Sequence, residues 1–141
     1  MRLFPIITFV LFLCGCTDPV IGVPGGKLNG DEITAPERWG SVPDVVQLEM
    51  RPDDPYSINI WAAVANDTLY IATREAKWLS FIREDKRVRV HMDRKIYRLA
   101  ASEVSGEEEK LAVGEAYTNK YDYEMSPEDL TVANVFRLTP R

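Results

Sequence analysis

From Val45 onward, apolar and polar positions alternate with a period of two, the pattern of strands with one buried face. Val46, Leu48 and Met50 alternate with Gln47, Glu49 and Arg51, and Pro52-Asp53-Asp54-Pro55 then predicts a tight reversal. Ile58, Ile60, Ala62 and Val64 form one face of the next strand, with Asn59 and Trp61 on the other. Asn66-Asp67 connects it to Leu69-Tyr70-Ile71, which reads as a hairpin closed by Thr73. Trp78, Leu79, Phe81 and Ile82 follow at helical spacing and end in Arg83-Glu84-Asp85. Val88, Val90 and Met92 then alternate with Arg87, Arg89 and His91; Asp93-Arg94-Lys95 turns the chain, and Ile96 to Ser102 runs back. Ser105-Gly106-Glu107-Glu108 has capping-box spacing and predicts a helix to about Asp122, packing through Val113, Ala116, Tyr117 and Tyr121. Val132 to Leu138 is a last strand. The order β-β-β-α-β-β-α-β with short turns predicts a mainly β (α+β) fold, a small antiparallel six-stranded barrel with two helices.

Before Val45 the pattern is different. Leu3 to Leu13 is apolar apart from Thr8 and follows Arg2. Such a run is too short to cross a hydrocarbon core of roughly 30 Å, which takes about 20 helical residues, and reads as a secretory signal. Leu13-Cys14-Gly15-Cys16 then resembles the bacterial lipobox, although Cys14 stands where a small or hydroxyl residue is commoner. The resemblance implies a lipoprotein signal peptide over residues 1–15, and an acylated Cys16 as the mature N-terminus. The protein would then be anchored in a bacterial cell membrane or outer membrane, outside the cytoplasm. An ordinary cleaved signal with an incidental cysteine is the plainer alternative. Pro19, Pro24, Gly25-Gly26, Asn29-Gly30 and Pro36 punctuate the next stretch, so residues 16–38 read as a flexible tether and residues 39–141 as the folded domain, entered at Trp39.

Composition narrows the function classes. Lys plus Arg is 17 against 22 Asp plus Glu, a net charge of −5, which excludes the basic footprint of a nucleic-acid binder. His91 is the single histidine and lies among Arg87 and Arg89 on a polar strand face, so it reads as a surface residue, not a metal ligand. Glu107-Glu108-Glu109 suits a helix start. Asp53-Asp54 belongs to its turn, and the tyrosines Tyr117, Tyr121 and Tyr123 read as core and rim. Gly25-Gly26-Lys27 lacks phosphate-loop spacing, and no Gly-x-Ser-x-Gly or His-Glu-x-x-His supports a hydrolase.

One junction carries candidate chemistry: Tyr70-Ile71-Ala72-Thr73-Arg74-Glu75-Ala76-Lys77-Trp78. A strand ends on a hydroxyl and a helix is expected with Arg74 and Lys77 in its first turn, an arrangement suited to a phosphate. Glu75 would have to point outward. The plainer alternative makes Arg74 and Lys77 solvated charges and Trp78 a core residue.

The element order, Thr73, Lys77 and Asp85-Lys86-Arg87-Val88 resemble the split β-barrel flavin-binding proteins, both pyridoxamine 5′-phosphate oxidase-like and deazaflavin-dependent nitroreductase-like. Lys86 stands where the family pattern has proline, and Trp78 where many members are less bulky. The resemblance implies that the phosphate of FMN or of a deazaflavin rests on Thr73, Arg74 and Lys77, beside Trp78. The ring would lie against Asn59 and Trp61, and a homodimer would hold the cofactor between subunits. The expected function is then a membrane-tethered flavin or deazaflavin oxidoreductase acting on a small organic substrate. A tethered barrel that binds a ligand or protein partner without turnover is the alternative.

Overall fold

The computed structural model describes residues 18–20 and 22–141; the signal segment and Cys16 lie outside the described residues. Its elements are β1 (Asp31–Ile33), β2 (Val45–Met50), β3 (Tyr56–Ala65), β4 (Thr68–Thr73), α1 (Leu79–Glu84), β5 (Arg87–Met92), β6 (Lys95–Glu103), α2 (Glu107–Tyr121), α3 (Pro127–Val132) and β7 (Asn134–Pro140). Strands β2 to β7 are antiparallel in the order β6-β5-β2-β3-β4-β7, and pairing of β6 with β7 closes a six-stranded barrel. Strand β1 is additional and runs parallel to the start of β6.

The two-residue period places the core as expected. Leu48, Leu69, Ile71, Val88, Val90, Leu99 and Phe136 are buried inside the barrel, with Ile58, Ile60 and Val64 packed half-buried against them. Two hairpins turn through residues of positive φ, Asn66 and Asp67 at 48° and 60°, and Asp93 and Arg94 at 51° and 64°. Two successive left-handed residues match the right-handed twist of the flanking strands. Trp39 marks the chain's arrival at the core: its ring sits edge-on to Tyr97 at 5.0 Å, and its backbone N–H donates to the Asp67 carbonyl.

Three features differ from the sequence reading. Helix α2 is capped by the Gly106 backbone with no side-chain bond, so Ser105 lies one residue too early to cap it. A short helix, α3, precedes β7, and there Ser126 and Asp129 do form a reciprocal capping box. The third concerns the N-terminal segment, read as a flexible tether. Strand β4 pairs only with Ala62–Ala65 of β3, and β7 only with Leu99–Glu103 of β6, which leaves two strand edges open. Gly25 pairs with Ser57 on the first edge, and β1 with residues 95–97 on the second. Between them Leu28, 1% exposed, crosses β2 and β5. Its N–H donates to Glu49 Oε2 (2.6 Å) and its carbonyl accepts from Arg89. Unpaired strand edges and a buried carboxylate convert what composition marks as a linker into a strap.

Candidate functional site

The barrel's outer surface is covered in two halves. The strap lies over β2 and β5, while α2 packs on β3, β4 and β7 through Val113 and Tyr117 against Ala63, Tyr70 and Val135. The site lies at the C-terminal end of α2. Trp61 projects from the outer face of β3, 50% exposed, because its strand alternates and its neighbour Ala62 turns into the core. Tyr117 and Tyr121 sit four residues apart on α2, hence on one helix face. Trp61 stacks on Tyr121 with centroids 4.5 Å apart and planes at 8°, and Tyr121 on Tyr117 at 5.6 Å and 26°.

The polar ends of this stack are tied to backbone. Tyr117 Oη donates to the Trp61 carbonyl at 3.0 Å. The Tyr121 hydroxyl accepts from the Ala62 N–H and lies between the carbonyls of Asp44 and Ala62. Lys120 Nζ donates to the carbonyls of Pro43 and Ala62 at 2.7 and 2.6 Å. Burial pushes both tyrosines above the ordinary phenol range and Lys120 below the ordinary amine range. The tyrosines therefore stay neutral at physiological pH and offer ring faces rather than acid–base chemistry.

Facing the stack are Tyr123, Met125, Asp129 and Ala133 from the α2–α3–β7 connection, with Ala72, Thr73 and Arg74 at the end of β4. Together they enclose a cavity of about 160 Å³. Arg74 forms an ion pair with Asp129, and the Asn134 amide donates to the Arg74 carbonyl. The Asp129 carboxyl is held below the usual carboxylate range, first by the Ser126 hydroxyl, then by the Ser126 N–H, with Arg74 adding to both.

The structure brings together three of the expected cofactor residues, Trp61, Thr73 and Arg74. It separates the others. Lys77 is exposed in a neighbouring shallow cleft with Arg74, Glu75 and Arg83, and makes no ion pair among the described residues. Trp78 is buried against Phe136, with centroids 6.3 Å apart, so its ring belongs to the core and does not line the cavity. Asn59 lies under the N-terminal segment, its Nδ2 donating to the Pro19 carbonyl at 3.1 Å. The expectation of Arg74 and Lys77 in a helical first turn is also corrected. Helix α1 begins at Leu79 behind Trp78, because burial of Trp78, Leu79 and Ile82 sets its start, and both cations precede it in the loop.

Tyr117, Tyr121 and Asp129 are site residues that the sequence reading did not assign. Their signals were present: two tyrosines at helical i,i+4 spacing, and Ser126-Pro127-Glu128-Asp129 as a helix-start motif. Among the described residues, no group of His, Cys, Asp and Glu side chains is placed to hold a metal ion.

No protein-family model matches the chain, and no curated protein matches it in sequence. Solved structures do match in fold. A protein assigned to 5-nitroimidazole antibiotic resistance from Bacteroides thetaiotaomicron aligns with a TM-score of 0.58 at 14% identity, over 68% of this chain and 72% of that one. A candidate pyridoxamine 5′-phosphate oxidase from Listeria innocua aligns at 0.57 and 18% identity, over 70% and 85%. An FAD-binding protein from Mesorhizobium loti aligns at 0.53 and 15% identity, over 70% and 80%. At these identities the likeness is one of fold, and the chain has the split β-barrel architecture of the pyridoxamine 5′-phosphate oxidase-like and nitroimidazole-resistance proteins.

Proposed function

We propose that this protein binds a flavin-type cofactor, FMN or a deazaflavin, and acts as an oxidoreductase on a small organic substrate while anchored by acyl chains at Cys16 outside the cytoplasm. One observation carries the reading: Trp61, Thr73 and Arg74, from two strands and a loop, converge on a single aromatic-walled cavity. The fold it shares with an FAD-binding protein supports it. The stacked faces of Trp61 and Tyr121 suit a planar ring, and the Thr73 hydroxyl and Arg74 suit a phosphate at its polar end. Bound there, the cofactor would supply hydride transfer. The chain's own part is to hold the ring, keep water from one side of it and orient its polar tail.

Titration of the purified mature protein with FMN, a deazaflavin and riboflavin, followed by absorbance, tests the reading. A charge-assisted contact typically contributes about 1.5–3 kcal/mol. Arg74→Ala is therefore expected to weaken FMN by roughly ten- to a hundredfold and leave riboflavin unchanged. Lys77→Ala should weaken FMN less, because Lys77 stands outside the cavity. Asp129→Asn, which releases Arg74 from its ion pair, should strengthen FMN binding.

A second reading is favoured by the cavity's size. Ligand pockets usually measure about 300–1,000 Å³. The cavity here, about 160 Å³, suits a single small ring and faces an arginine already neutralised by Asp129. Absence of FMN and deazaflavin binding at high micromolar concentration would make the protein a non-catalytic barrel for a small apolar ligand.

A further inference from the structure

The outer face of β3 carries Asn59 and Trp61 two residues apart, so both side chains point the same way. Asn59 holds the start of the described N-terminal segment, through its bond to the Pro19 carbonyl. Pro19 stands three positions after Cys16, a reach of at most about 11 Å when fully extended. An acyl chain on Cys16 would therefore hold the Asn59–Trp61 face of β3 close to the bilayer surface.

The same end of the molecule collects exposed apolar side chains. Val45 is the cross-strand partner of Trp61 and shares its face. Tyr123 borders the cavity that Trp61 lines. Val20 and Val23 flank a turn, closed by their own backbone bonds, next to Pro19. These are five of the eight large apolar residues exposed among the described residues. Tryptophan and tyrosine, apolar in body and polar at one end, favour the membrane–water boundary.

We infer that the Trp61 face of β3 rests on the lipid surface, so that the aromatic cavity opens at the bilayer and receives ligands that partition into it. This rests on the anchoring at Cys16 proposed above and is independent of the cofactor. The family resemblance would set a second copy of the chain on this same face; the short reach from Pro19 to Cys16 favours a lipid bilayer as its occupant.

The mature, acylated protein is reconstituted on phosphatidylcholine vesicles whose lipids are brominated near the glycerol end of the acyl chains. Trp39 and Trp78 are 7% and 6% exposed within the core, so Trp61 is the tryptophan within reach of the quencher. Bromolipid is expected to remove the Trp61 share of the emission. Trp61→Phe should abolish that quenching while still sedimenting with vesicles, and Asn59→Ala should sediment fully but quench less. Co-sedimentation of wild type without quenching overturns the inference alone, including the case where Trp61 emission instead shifts with protein concentration, as burial by a second copy requires. Full quenching in Asn59→Ala overturns the role given to the Pro19 contact. Failure of wild type to sediment, alongside an equally soluble Cys16→Ser, overturns the anchoring and the inference together.

Discussion

Arg74 and Asp129 set the charge of the cavity mouth between them, and Ser126 decides how firmly Asp129 is held. The Ser126 hydroxyl and N–H both stabilise the Asp129 carboxylate, which depresses its pKa in the folded protein. A group depressed on folding contributes stability above its unfolded pKa and loses it as pH falls through the folded value. The α3 cap and the Arg74 ion pair are therefore expected to persist through neutral pH and to fail only below about pH 4, the ordinary aspartate value. Ser126→Ala should raise the Asp129 pKa toward that value in a carboxyl-carbon NMR titration, and cost about 1 kcal/mol as a lost N-cap. An unshifted titration would mean that Arg74 alone sets it. Arg74 stands out in the sequence because it follows a strand end, whereas the Ser126-Pro127-Glu128-Asp129 motif signals a helix start and not that Asp129 meets Arg74. Its partner lies 55 residues away, and nothing local in a chain links two such positions.

Strands were more legible than helices for a physical reason. A two-residue period survives wherever one sheet face is buried, and here both α2 and the strap cover outer faces without erasing it. Helix α3 is a single short segment with one buried apolar residue, Leu130, too little for a helical period to register. What positions it is a close approach to α2 at Gly114, where a Cβ would meet the Leu130 side chain at 2.7 Å. Alanine in mid-helix normally gains about 1 kcal/mol over glycine. Overpacking commonly costs about 1–3 kcal/mol, so Gly114→Ala is expected to be net destabilising in spite of its helix propensity. It should also displace α3 and lower affinity for any ligand in the cavity. Combining it with Leu130→Ala should recover the propensity gain, since the obstructing side chain is gone. Urea midpoints of the four proteins in that cycle give the coupling, and strict additivity would show that α2 and α3 do not bear on each other here.

At the scale of the whole molecule, the strap joins the described N-terminal segment to the barrel, and one buried ion pair is its lock. Glu49 is 3% exposed, and its two oxygens accept from Arg89 Nε and a terminal nitrogen at 2.7 Å each and from the Leu28 N–H at 2.6 Å. Arg89 also reaches Glu32 in β1, so a single guanidinium ties β5, β2 and the strap together. No local pattern announces this. Glu49 and Arg89 look like ordinary solvent-facing residues of alternating strands, and only the cross-sheet register sets them side by side. A glutamine at this position keeps the shape but offers one acceptor where there were two, so either Leu28 or Arg89 faces an NH₂ group. Removing one partner of a buried pair costs about 3–5 kcal/mol. Because Arg89 retains Glu32 and the Leu28 carbonyl, Glu49→Gln is expected near 3 kcal/mol. The loss should fall first on the strap: amide exchange at Leu28 and in β1 should accelerate while β3 and β4 keep their protection. If those amides exchange together with the barrel, strap and barrel unfold as one unit. If Leu28 stays as protected as in wild type, strand-edge pairing at Gly25 and β1 holds the segment without its ionic lock.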